Sequence, residues 1–239
     1  MKTEIKERPM LFSAPMVRAI LDGGKTQTRR TNGFEWTNMS MPDMWDKVEI
    51  GFYGNDLGAW FRFDDQGINR DTFVKCPYGK VGDRLWVRET FQYLFADGFD
   101  HDSSPYPDQK TGEGYNPSYP ATDGIKEYVD GDDLIVSKCT PSIHMPRWAS
   151  RINLEITAVR VERLNDISET DAWAEGIECE PCDQTVCFKN YMADNWIPAW
   201  GDTFDTAAIL SFESLWESIN GSGSWQQNPW VWVIEFKRV

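Results

Sequence analysis

Gly23-Gly24-Lys25-Thr26-Gln27-Thr28-Arg29-Arg30 is the stretch whose reading decides the fold. Upstream, Ser13-Ala14-Pro15-Met16-Val17-Arg18-Ala19-Ile20-Leu21 reads as a short helix. Ser13 suits its N-cap, and Pro15 is tolerated in a first turn. Val17, Ile20 and Leu21 fall at the i, i+3, i+4 spacing of a buried stripe. Gly23 or Gly24 then takes the left-handed conformation that ends a helix. The chain runs extended from Lys25 to Arg30. Alternation puts Thr26 and Thr28 on one face and Lys25, Gln27 and Arg29 on the other. A twist or bulge would let Lys25 and Thr28 meet at the mouth of a pocket. The same stretch also fits a solvated basic edge strand.

The 239 residues are 41% hydrophobic, with 12 Trp and 13 Phe, which is ample for one core and for one or two domains. A formal net charge of -14 argues against general duplex binding, which rests on phosphate neutralisation by Lys and Arg. It leaves room for a local basic pocket that takes one nucleotide or a short strand. No apolar run approaches the roughly 20 residues of a membrane span. Met1 to Arg8 is charged, without the apolar core of a signal peptide. Five cysteines, an odd number in a chain with a good core, fit reduced thiols in a cytoplasmic protein better than a disulfide framework.

Further along, residues 31–80 look irregular, with a hairpin expected from Val48–Tyr53 and Ala59–Phe63 around Asn55-Asp56. The turn cluster Cys76-Pro77-Tyr78-Gly79-Lys80-Val81-Gly82-Asp83 opens a strand from Arg84 to Phe91. Leu85, Val87, Glu89 and Phe91 share one face, so Glu89 is a carboxylate at an exposed strand end or one facing a cavity. Residues 96–135 read as a long polar loop carrying Asp97, Asp100, Asp102, Asp108, Asp123, Asp130, Asp132 and Asp133; their spacing does not match an EF-hand. Arg147-Trp148 has the chemistry to stack a base or grip a phosphate, or simply to stand at a strand entrance. The next strand alternates through Ile152, Leu154 and Ile156 and changes parity at Val159, which places a bulge near Ala158.

Ser168 then caps a helix that Gly176 stops. Glu175 sits at that helix end, where the dipole disfavours an anion. Cys179, Cys182 and Cys187 supply three ligands of a zinc site, with His144, Cys139 or Cys76 as a fourth. One CxxC without a partner pair is a weak signal, so reduced loop cysteines without metal are the reading kept. Phe212, Leu215, Trp216 and Ile219 form an amphipathic helix ended by Asn220-Gly221. The last strand, Trp230–Lys237, is apolar on both faces until Glu235 and reads as central to a sheet. With only His101 and His144 in the chain, histidine catalysis has few candidates.

Gly24–Arg30, Gly82-Asp83-Arg84-Leu85-Trp86-Val87, the helix from Ile167 to Gly176 and the ending Val233–Lys237 together resemble the ASCH domain of the PUA-like superfamily, in its larger bacteriophage-type form. The resemblance implies an α+β fold: a mixed or antiparallel β-barrel flanked by helices. It implies one domain over residues 1–239, with insertions at about 31–75, 95–140 and 178–205. Small ASCH proteins include amidohydrolases that remove the acetyl group of N4-acetylcytidine with a Lys, a Thr three residues later and a Glu on the later helix. By motif these fall on Lys25, Thr28 and Glu175. No cofactor is implied. Arg29 and Arg30 become candidates for the oxyanion, Trp86 and Trp148 for stacking, and Glu89 and Arg147 for substrate contacts. The expected partner is a modified nucleoside or a single-stranded nucleic acid. A non-catalytic module for RNA, single-stranded DNA or a modified base, and an ASCH-type ribonuclease, are the alternatives.

Overall fold

The computed structural model describes residues 5–39, 47–65, 68–95, 110–129, 135–182, 185–193, 195–199 and 204–239. Along the chain come β1 (Glu7–Leu11), α1 (Ala14–Leu21), β2 (Gln27–Arg30), α2 (Glu35–Met39), β3 (Lys47–Tyr53), β4 (Asp56–Asp65), β5 (Ile68–Lys75), β6 (Arg84–Arg88), β7 (Gln92–Phe95), β8 (Tyr115–Ser118), α3 (Pro120–Asp123), β9 (Tyr128–Val129), β10 (Ile135–Val136), β11 (Asn153–Arg163), α4 (Glu169–Ala174), β12 (Cys179–Cys182), β13 (Thr185–Asn190), β14 (Asn195–Ala199), α5 (Phe204–Asn220) and β15 (Trp230–Arg238). Asp97, Asp100, Asp102, Asp108, Asp130, Asp132, Asp133 and His101 lie outside the described residues.

The main sheet has the order β1-β6-β11-β15-β2. β1 and β6 are parallel, and the other three pairs are antiparallel. Val231, Trp232, Val233 and Ile234 are buried in succession, as an interior strand covered on both faces requires. Trp232 stacks on Phe34 at 4.6 Å and donates its indole N–H to the Asn32 carbonyl at 3.1 Å. That donation lets a polar atom sit in the core without loss. On β11, Leu154 and Ile156 are buried, and the register against β15 slips between Ile156 and Ala158. The parity change in the sequence marks this bulge.

The fold is thus α+β and rich in strands. Among the described residues the main sheet does not close into a barrel, because β1 and β2 remain its edges. A hydrogen bond spans them: Arg30 Nη2 donates to the Leu11 carbonyl at 2.8 Å. α1 carries the chain from one edge to the other, and Asp22 and Gly23 (φ +80°) end it.

The stretches that read as additions carry small sheets: β3-β4-β5, β9-β10 and β12-β13-β14. In the first, Tyr53 pairs with Asp56, so the hairpin turns at Gly54-Asn55, one residue earlier than expected. Gly54 supplies the positive φ of +62° that this turn uses. β5 has no clear alternation in sequence, which is why a third strand was not expected. No helix among the described residues is long and apolar enough to cross a membrane.

Candidate functional site

The end of α1 and the end of α4 are stitched together by backbone. Lys25 N–H donates to the Ala19 carbonyl and Thr26 N–H to the Ala174 carbonyl, both at 2.9 Å. Lys25 and Glu175 form an antiparallel bridge. α4 begins as the sequence implies, with Ser168 Oγ accepting from Asp171 N–H at 3.1 Å. It ends with Glu175 as C-cap and Gly176 at φ +78°. A carboxylate is thereby placed where α4's own dipole opposes it, and two cations, Lys25 just before β2 and Arg29 on it, compensate.

They do so from one face. Lys25 Nζ donates to Glu175 Oε2 at 2.9 Å and to the Glu175 carbonyl at 2.6 Å. Arg29 Nη1 donates to Glu175 Oε1 at 2.9 Å. Gln27 Nε2 donates to the Asp171 carbonyl at 2.7 Å. Lys25, Gln27 and Arg29 therefore all turn toward α4, as alternation along the strand predicts. Arg29 also donates to Glu162 and to Asp171. Arg160 donates to Glu162, Asp171 and Glu235. Lys25 and Glu175 are 4% and 3% exposed. Burial pushes the Lys25 ammonium below its ordinary pKa, against the opposing pull of Glu175.

A hollow of about 410 Å³ opens between the sheet edges, with Lys25, Thr28, Arg30 and Glu175 in its lining. Phe12, Phe212 and Trp216 make apolar wall. The volume lies within the roughly 300–1,000 Å³ of small-molecule sites. Arg30 lies over the Phe12 ring at 5.5 Å and Lys25 over the same ring at 5.9 Å. Thr28 is 3% exposed. Among the described residues its hydroxyl is hydrogen-bonded neither to Lys25 nor to Glu175. The hollow thus gathers an amine, a carboxylate and a hydroxyl, the elements of assisted acyl transfer.

Four sequence-derived candidates lie away from the hollow's lining. Glu89 does face inward, at 1% exposure, but Arg151 closes it with two bonds of 2.9 and 3.0 Å. It is a paired structural carboxylate, and its chain neighbour Thr90 reaches the hollow instead. Trp86 lies under the guanidinium groups of Arg88 and Arg147 at 5.5 and 5.8 Å. Arg147 is held by Glu7 at 3.1 Å and Asn153 at 2.7 Å. Trp148 stacks on Tyr115, and Gly112 presses so closely that a Cβ there would come 2.5 Å from the Trp148 ring. Its surface is already used by the protein. Arg29 lines the hollow, yet all three of its nitrogens are committed to carboxylates, so it orients Glu175 rather than reaching for a ligand.

Sequence reasoning missed the α5 wall and the carboxylate ring of Glu162 and Asp171. Phe212 and Trp216 show the helical spacing of core residues, and no pattern separates a core stripe from a pocket wall. Two cysteines also need correction: Cys182 and Cys187 are joined by a disulfide, with Cα atoms 5.8 Å apart. Their hairpin pairing brings them within bridging range. The disulfide takes two of the three thiols of the zinc reading, and it removes the odd-cysteine argument for a reducing compartment. Cys76, Cys139 and Cys179 are free. Among the described residues no cluster of three or more His, Cys, Asp or Glu is arranged to hold a metal. No family model matches the chain, and no curated protein or solved structure matches it either.

Proposed function

We propose that this hollow is the active site of a hydrolase that removes the acyl group from an N4-acylated cytosine-type base. The observation that carries the reading is that Lys25, Thr28 and Glu175, separated by up to 150 residues, line one hollow with the amine and carboxylate in contact at 2.9 Å. Thr28 Oγ attacks the amide carbon while Lys25, passing its ammonium proton to Glu175, takes the hydroxyl proton as the free amine. The C–N bond breaks as Lys25 returns that proton to the leaving amine. Water then splits the threonyl ester and releases the acid. Glu175 holds Lys25 in place, and Arg29 holds Glu175. Arg30 is the cation left to face the developing oxyanion.

The test is acid release from N4-acetylcytidine and a panel of related N-acyl nucleosides. Wild type turns over. Lys25→Ala and Thr28→Val lose at least about 10²-fold, the lower end of general acid–base contributions. No turnover by wild type on the whole panel overturns the reading. A second reading is a modified-base binding pocket without catalysis. It is favoured by Lys25 already having two oxygen acceptors while Thr28 is not engaged by it. Saturable binding of the panel without turnover selects it. Cleavage of labelled single-stranded RNA would instead select a ribonuclease.

A further inference from the structure

The loop from Cys76 to Asp83 folds back on β1 and encloses a second hollow of about 230 Å³. Lys6, Arg8, Lys75 and Lys80 line it together with only two carboxylates, Asp56 and Asp83. On a chain of net charge -14 this is a local reversal of sign.

The carboxylates are spent on assembly. Asp83, at 3% exposure, accepts the backbone N–H of Lys6 at 3.1 Å, the backbone N–H of Lys80 at 3.2 Å and Arg8 Nη1 at 3.1 Å. One buried acid thus fixes three of the four cationic residues. Gly79 makes this possible: at φ +113°, a Cβ there would come 2.5 Å from Arg8 Nη1 and 2.6 Å from Asp83 Oδ2. Asp56 is paired with Lys75 at 2.8 Å. Among the described residues, the ammonium groups of Lys6 and Lys80 have no carboxylate within ion-pair reach. The hollow is built to present positive charge.

We propose that it binds a phosphate group of a single-stranded nucleic acid whose modified base enters the first hollow. The choice of a nucleic-acid phosphate rests on the reading of the first hollow as a nucleobase site. The two hollows share β1: Arg8 lines one and Leu11 the other. Arg8 and Leu11 lie three residues apart on that strand, about 10 Å at roughly 3.3 Å per residue. Behind them the Tyr78 hydroxyl donates to Asn32 Oδ1 at 2.8 Å, tying the loop of the second hollow to the rim of the first. A strand of a few nucleotides spans such a distance.

The experiment is fluorescence anisotropy with a fluorescein-labelled single-stranded RNA ten-mer carrying one N4-acetylcytidine, across a salt series. The double variant Lys6→Gln/Lys80→Gln, checked for an unchanged thermal melt, is expected to bind at least tenfold more weakly at low salt. Its log–log salt slope is expected to flatten by about 0.7, for the loss of one phosphate contact on a single strand. An unchanged affinity and slope overturns the proposal. No binding of the ten-mer by wild type even at low salt likewise overturns it. Hydrolysis of free N4-acetylcytidine by wild type is a separate readout. Its absence takes down the hydrolase alone, while the salt slope still judges the second hollow.

Discussion

Glu175 neutralises two cations at once, and this makes its removal unequal to the removal of either partner. Glu175→Gln leaves Lys25 and Arg29 without their shared anion in a dry site. Lys25→Met leaves Glu175 still paired with Arg29. Stranding a buried charge costs about 3–5 kcal/mol, so Glu175→Gln should lose that much in urea unfolding and Lys25→Met clearly less. Equal losses would contradict the geometry. Asp171 belongs to the same ring. Burial alone would raise its pKa, but the charges of Arg160 and Arg29 outweigh burial and hold it below its ordinary 3.8. A carboxylate with a depressed folded pKa adds stability that is fully present above its unfolded value and is lost as pH falls through the folded one. The urea midpoint should therefore drop below pH 3.8, and Asp171→Asn should flatten that drop. A midpoint that falls between pH 6 and 4 instead would point to other groups. The sequence marked Glu175 because a carboxylate at a helix end is electrostatically odd. It misassigned Arg29 because that residue's acceptors lie 133 to 146 residues away.

Among elements, the joint between α1, β2 and α4 turns on Gly176. At φ +78°, a Cβ there would lie 2.8 Å from Lys25 Cβ and 2.9 Å from Ala19 Cβ. Gly221, at φ +97°, has nothing within 4 Å of its Cβ position. Gly221→Ala should cost only the left-handed penalty of about 1–2 kcal/mol. Gly176→Ala should cost more, because Lys25 must shift. Thermal unfolding compares the two, and a Gly176→Ala loss no larger than that of Gly221→Ala would deny the close packing. α1, α4 and α5 were legible in sequence because caps, glycines and helical stripes are local signals, whereas the short α2 and α3 fell in stretches that read as irregular or loop. The third strand of the β3-β4-β5 sheet was not, since its pairing is set by β4 and not by its own pattern.

Across the whole molecule, the cysteine chemistry gives a direct check. Denatured, unreduced protein should show three thiols to a thiol reagent, from Cys76, Cys139 and Cys179, and five after reduction. Five before reduction would remove the disulfide. The bridge closes a short loop, so breaking it should cost only about 2 kcal/mol on the chain-entropy argument. The open sheet matters more to function. Its edges β1 and β2 are not paired as strands, and residues of both line the first hollow.

Local order in this chain follows from its own residues: alternation, helical stripes, caps, the bulge near Ala158 and the central last strand. These are short-range rules, and each is set by a few neighbouring side chains. Only the tertiary structure decided what those faces meet. It gave Glu89 to Arg151, Arg29 to three carboxylates and Cys182 to Cys187, and it left Lys25 and Glu175 together at the edge of a hollow. Periodicity tells which side chains look the same way. It does not tell what they look at, because that partner is brought by a distant part of the chain.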